Sequence, residues 1–242
     1  MNSLFPAADD PRVAHGEGVG PRYALDALLA ARERSKVATE RIAAAIEPGM
    51  RELDAHAVAD AVFAELEFSR LWHPTHIRLG ANTLKTFREA SDPAVVLGDP
   101  DVFFIDIGPV WAGHEGDYGD TFVIGDDPEL GALRDAARQV YAEVAAAWRQ
   151  QRLSGRALYR HAEHCAERLG WRLNLGAPGH RIGDFPHSIH QGGKLADKAH
   201  VPGSGLWVLE IQLAHRSRPV GAFYEDILLA DDAPVALRLG VR

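Results

Sequence analysis

A single cysteine, Cys165, stands in the chain, so no intramolecular disulfide can form. It falls in a helical stretch, residues 161–171, where a small buried apolar role suits it better than a nucleophilic one. A reducing, cytoplasmic setting is the expectation. No apolar run approaches the roughly 20 residues that a spanning helix needs. The first 22 residues lack the basic-then-apolar layout of a signal peptide and read as an irregular arm. No Lys/Arg-rich run is present and the net charge is −8, which argues against nucleic acid or an anionic membrane as a partner. Several chemistries lack their motifs: there is no Gly-x-Ser-x-Gly elbow, no GxxxxGK[ST] loop, no H-E-x-x-H and no Cys-x-x-Cys.

What remains is a chain of 242 residues, 46% hydrophobic and 25% charged, the composition of an ordinary globular protein. Helical spacing predicts a helix over 23–46, stopped by Glu47-Pro48-Gly49, and a second over 52–68 with Leu53, Ala57, Val58, Ala61, Val62 and Leu66 on one stripe. Strand-like runs follow at 102–107 and 121–124. Pro128 opens a third helix to about residue 150, and Ser154 caps a fourth to about 169. Strands then recur at 206–211 and 224–229. Leu53 and Leu158 stand 105 positions apart, Asp106 and Glu210 104, and Asp117 and Glu225 108. The chain therefore reads as a duplication, two helices and a hairpin in each of two halves (23–127 and 128–242), forming one α+β domain behind the arm at 1–22. Coincidence is the alternative, because helix-helix-hairpin is a common local order.

The chemistry concentrates at strand ends. Asp106 follows four apolar residues, and a bare carboxylate at a buried strand end is costly unless paired or bound to a cation. Asp117 lies 11 positions on, within reach of the same point across a turn; Asp120 competes with it. Both could instead be turn formers. Glycines flank His180, which lets backbone approach a site, and His187 can reach the same cleft from a loop. With 12 histidines in the chain, His73, His76, His114 and His190 carry only the weak expectation of any lone histidine. Glu210 and Glu225 sit inside apolar strands, where an ion pair with Arg216 or Arg218 is the plain alternative. One imidazole with four carboxylates suits a pair of divalent first-row ions better than a structural zinc.

Taken together, Asp106, Asp117, His180, Glu210 and Glu225 resemble the Asp, Asp, His, Glu, Glu order of the pita-bread metallopeptidases, a superfamily of methionine aminopeptidases, Xaa-Pro aminopeptidases, prolidases and creatinases. Residues 117–122 resemble its Asp-x-Thr-Arg-Thr-Phe segment, which favours Asp117 over Asp120, and 179–183 resemble its Gly-His-Gly-Ile-Gly. The resemblance implies a pita-bread fold, a dinuclear site of Mn, Co, Fe or Zn, and hydrolysis of an amide bond in a short peptide. It implies that Asp117 and Glu225 bridge the ions, that Asp106 completes one shell, and that His180 and Glu210 complete the other. Glu210 would also shuttle a proton, and His187 would contact substrate. His76, Phe87 and Trp111 are the further substrate-binding candidates, with Trp72 close by.

Three departures stand out. Phe87 falls where methionine aminopeptidases carry a histidine, so that His73 or His76 would have to substitute by another route. Arg181 replaces a small residue, and Ser188 replaces an acid. Gln212 follows Glu210 without the usual proline, and Phe223 stands where an arginine is usual before the last glutamate. Hydrolysis of a non-peptide C–N bond in a small metabolite, or an inactive binding module, are the alternative readings. The expected partner is a small peptide or small-molecule amide; a homodimer is compatible with the chain, though nothing in the sequence shows one.

Overall fold

A computed structural model describes residues 17–230 apart from 69 and 188–192. The expectations for Ser188, His190, the arm before Glu17 and the last twelve residues fall outside the described residues. Helices α1 (Leu25–Ala44), α2 (Glu52–Glu65), α3 (Pro128–Gln151) and α4 (Gly155–Arg168) pack on one face of a curved antiparallel sheet. Its strands are β2 (His76–Leu79), β3 (Asp101–Ile107), β6 (Tyr118–Ile124), β10 (Gly221–Ile227), β9 (Trp207–Ala214) and β7 (Arg172–Leu173), in that spatial order, with β8 (His180–Arg181) also pairing β9. A small second sheet holds β1 (Arg70–Leu71), β4 (Pro109–Trp111) and β5 (His114–Glu115). Among the described residues, no helix is long and apolar enough to cross a membrane.

Strand alternation decides which side chains meet which layer. Phe103, Ile105 and Ile107 of β3, with Ile77 and Leu79 of β2, join the core under α1 and α2. Leu209, Ile211 and Leu213 of β9 join the core under α3 and α4. The intervening residues, His76, Asp106, Glu225 and Glu210 among them, are left for the opposite, concave face. Helix α3 begins at Pro128 behind an Asp127 cap, and Ser154 caps α4 through Ala157 N, as the sequence predicts. The predicted stripe of α2 is shifted: Ala55, Ala59, Val62 and Phe63 are buried, whereas Leu53 is 80% exposed. The sheet contacts the 55/59/62 face, and the long apolar Leu53 at the first turn lies beyond its edge.

The two halves are related by a pseudo-dyad between β6 and β10, whose register pairs Gly119 with Glu225. That register sets the repeat at 106 positions, so Glu225 corresponds to Gly119, and Asp117 stands two residues ahead of the equivalent place. The same spacing relates Tyr118 to Tyr224, Asp120 to Asp226 and Arg32 to Arg138. These form a crossed pair of ion pairs behind the sheet. Arg32 of α1 grips Asp226 of β10 through Nε at 2.5 Å and through Nη2. Arg138 of α3 grips Asp120 of β6 at 2.9 and 2.8 Å. Each arginine thus ties its own half to the other.

Removing Arg32 would strand Asp226, whose side chain is 3% exposed. Arg32→Ala is therefore expected to destabilise the fold by about 3 kcal/mol, the low end for breaking a buried pair, because Lys36 Nζ stays 3.1 Å from Asp226. Arg138, 40% exposed, is expected to cost about 1 kcal/mol. Denaturant titration of the two variants checks the order; equal losses would contradict it.

Candidate metal centre

One cross-strand row carries the site. Register places His76 opposite Asp106, Asp106 opposite Gly119, Gly119 opposite Glu225, and Glu225 opposite Glu210. Gly119 leaves the middle of the row open: a Cβ there would stand 2.6 Å from the Phe223 ring and 3.0 Å from Glu225 Oε1. Asp117 projects into that space from just before β6, fully buried, and His180 arrives from β8 on the far side. His180 Nε2 is 2.9 Å from Asp117 Oδ2, and its Nδ1 donates to Arg181 O at 2.7 Å. Glu210 Oε2 accepts from Gly179 N at 2.5 Å, and Gly179 has φ +66 with Tyr159 Oη and Val208 O each 2.7 Å from where a Cβ would be. Glycine is needed there both for conformation and for space.

Asp117, His180 and Glu225 offer donor atoms within 4.8 Å of one another, Asp106 does so with His73 and His76, and Glu210 lines the same cleft. Asp120 is not among them; it lies behind the sheet with Arg138. Neither alternative arginine pairs with the glutamates: Arg218 binds Asp127, and Arg216 donates to Gly170 O. Glu225 Oε1 is buried without a hydrogen-bond partner, whereas the two Asp117 oxygens meet only His73 and His180. Burial pushes the Glu210 carboxyl up to about 7, with His180 opposing and Asp106 adding to the rise. Burial also raises Glu225, helped by Asp117, Asp106 and Glu210. Burial opposes the ionisation of Asp117, but His180 and His73 hold it well below the usual carboxylate range. A buried cluster of self-repelling carboxylates beside two imidazoles has the donor chemistry for divalent cations.

The remaining candidates divide. His76 and Phe87 line the cleft beside the row, and Phe87 is 55% exposed at its mouth. His187 also lines it; its Nδ1 is 2.7 Å from Glu115 Oε2, while Glu115 Oε1 accepts His187 N at 3.0 Å. Trp111 does not line the cleft. It belongs to the small sheet, and the Arg34 guanidinium lies 3.4 Å above its ring. One contributor, Glu115, was missed; it is buried in β5, a two-residue strand too short to show a period. His73, which carried only the weak expectation of a lone histidine, lies 3.3 Å from Asp117 Oδ1 and 3.5 Å from Asp106 Oδ1. Arg181 and Gln212 are structural. Arg181 caps the carbonyls of Gly18, Ile182 and Leu206, and Gln212 donates to Thr83 O and Lys85 O.

The family model of metallopeptidase family M24 matches residues 26–232. The chain belongs to that family and has its pita-bread fold. Similar solved structures include an X-Pro aminopeptidase from Thermotoga maritima MSB8 (TM-score 0.68, 18% identity, covering 83% of this chain and 56% of that one). A prolidase from Pyrococcus horikoshii OT3 aligns at TM-score 0.67 and 16% identity over 86% and 59%. A methionine aminopeptidase from Thermotoga maritima aligns at TM-score 0.63 and 14% identity over 94% and 96%. The chain thus spans under three-fifths of the first two and nearly all of the third. No curated protein matches the sequence.

Proposed function

We propose that the chain is a metal-dependent hydrolase that cleaves the amide bond of short peptides, as an aminopeptidase or Xaa-Pro-type peptidase. The observation that carries this reading is the convergence of Asp106, Asp117, His180, Glu210 and Glu225 around Glu225 Oε1, which is buried without a hydrogen-bond partner, and Asp117, whose oxygens meet only histidines. Those five would hold two divalent ions, which when bound supply Lewis acidity and acidify water. The chain's own groups do the rest. Glu210, lining the cleft beside Asp106 and His180, is placed to carry a proton from the attacking water to the leaving nitrogen. Glu115 accepts from His187 Nδ1 and so fixes the ring at the cleft wall; only with a hydrogen on Nε2 as well would that ring donate to charge developing on the substrate carbonyl oxygen.

The cleft, of about 380 Å³, suits a short peptide. Trp72, Pro74, Phe87 and Pro178 give it apolar walls, and Arg88 and Lys194 place cations beside it. These would favour a peptide with a free carboxylate. A smaller substrate is the second reading. Phe223, where the family has arginine, closes against Phe104 with ring centroids 5.0 Å apart. The resulting niche beside Asp106 and Glu210 is only about 20 Å³.

The test is hydrolysis by metal-reloaded protein of free di- and tripeptides, their C-terminally amidated forms, and small non-peptide amides. Free peptides are expected to be cleaved at least tenfold faster than amidated ones, about the 1.4 kcal/mol of one exposed charge contact. Cleavage of the non-peptide amides alone would establish the second reading instead. Hydrolysis of none would leave a binding module. His187→Ala is expected to lower turnover on the order of 100-fold with both ions retained; unchanged turnover would remove it from the mechanism.

A further inference from the structure

We infer that His73 is a sixth metal ligand, so that each ion of the pair carries one imidazole. The inference rests on the metal-centre reading but concerns a residue outside the Asp, Asp, His, Glu, Glu pattern. Asp117 has a histidine on each side. His73 Nε2 is 3.3 Å from Oδ1, and His180 Nε2 is 2.9 Å from Oδ2. The two rings are prepared alike. His73 Nδ1 is 2.7 Å from Pro74 O, and His180 Nδ1 is 2.7 Å from Arg181 O. A carbonyl can only accept, so Nδ1 holds the hydrogen in both, and the Nε2 lone pair is the one a cation would meet. Donation of the second ring N–H to a backbone carbonyl is the usual orientation of a ligating histidine.

The donor atoms also cluster as a ligand set. His73, His76 and Asp106 bring one atom each within 4.8 Å of one another, a group separate from that of Asp117, His180 and Glu225. The backbone is built around this approach. A Cβ on Gly108 would stand 2.2 Å from the His73 ring and 2.3 Å from Trp72 Nε1. Trp72 N donates to Gly108 O at 2.9 Å, and the Trp72 ring packs on His73, His180 and His187 with centroids 4.5, 5.0 and 5.0 Å apart. The side chain at 73 is thus held at the cluster by a glycine and an indole. A plain ion pair between His73 and the two aspartates needs neither device and predicts no metal contact.

A second imidazole has a chemical consequence. Six donors with two nitrogens suit Co, Fe or Zn better than Mn, which prefers all-oxygen surroundings. The measurement is proton NMR of the protein stripped with chelator and reloaded with two equivalents of Co(II). Ligating imidazoles give hyperfine-shifted, solvent-exchangeable N–H signals, and two are expected, one from His73 and one from His180. His73→Ala should remove one signal and weaken one of the two Co(II) sites by at least about 100-fold, the upper end of what loss of a mere orienting partner costs. His76→Ala should keep both signals.

A single exchangeable signal in the unaltered protein would overturn the inference while leaving the metal centre standing. So would loss of the second signal in His76→Ala but not in His73→Ala. Failure of the unaltered protein to bind Co(II) would instead sink the metal-centre reading itself. The count in the unaltered protein needs no variant to fold.

Discussion

Asp117→Asn is expected to lose turnover by at least about 10³-fold, the upper end of what removing a single preorganised contact costs, and to lose its second metal ion. The reason is position. Asp117 is fully buried, and its two oxygens face different histidines, His73 through Oδ1 and His180 through Oδ2. A carboxamide keeps the shape but offers one acceptor oxygen and no charge, so it can serve at most one side. Glu225 cannot take over, because it reaches the cluster from the opposite strand across Gly119. The control is Asp120→Asn. That side chain is three residues on, behind the sheet with Arg138, and its change should lower stability with turnover unaltered. Metal content, turnover and denaturation midpoint on the two variants check the claim. Two retained ions with full turnover in Asp117→Asn would refute it.

The contrast between Asp117 and Asp120 also shows what the sequence could say. Both sit in one Gly-rich hairpin, and their local chemistry does not separate them. Strand alternation puts odd and even positions of β6 on opposite faces, but the choice of face depends on where α3 and its Arg138 pack. The long helices and the strands β3, β6, β9 and β10 were legible because their apolar periods are set by one buried face each. Leu53 shows the limit: the period was right, but the contacted face was a tertiary decision. Asp106, Glu210 and Glu225 stood out because charge inside an apolar strand is costly enough to demand a reason, whereas Asp117 and His180 were singled out by the family resemblance. His73 and Glu115 did not stand out, because neither lies in such a strand. The loop after β1 brings His73 to Asp117, and the two-residue strand β5 brings Glu115 to His187.

Loading the stripped protein at pH 7 is expected to release about three protons per chain, and apparent affinity should rise steeply with pH. In the metal-free protein burial opposes charge on both histidines. Asp117 with Glu210 nevertheless raises His180 to about 10, and Asp106 with Asp117 raises His73 to about 9. Both are therefore protonated at neutrality and must give up those protons as cations enter. Glu225, raised by burial among three other carboxylates, gives up another, and Glu210, near 7, a fraction.

The signs for stability follow. A raised histidine stabilises the metal-free fold fully below its unfolded pKa of about 6.5, and that contribution is lost as pH rises through 9 to 10. The raised Glu210 loses its contribution earlier, between about 4.5 and 7. The depressed Asp117 works oppositely; its contribution holds above about 4 and fades on acidification. The stripped protein should accordingly weaken as pH rises from 7 to 10, where the loaded one gains affinity. Ions at a hundredfold excess over Kd add about 2.7 kcal/mol per site, so chelation should lower Tm by several degrees, and more at pH 9 than at pH 7. Calorimetric titration in two buffers of different ionisation enthalpy reads the proton count directly. Identical heats in both would mean that no proton leaves, and that the paired histidines do not guard the site in the metal-free protein.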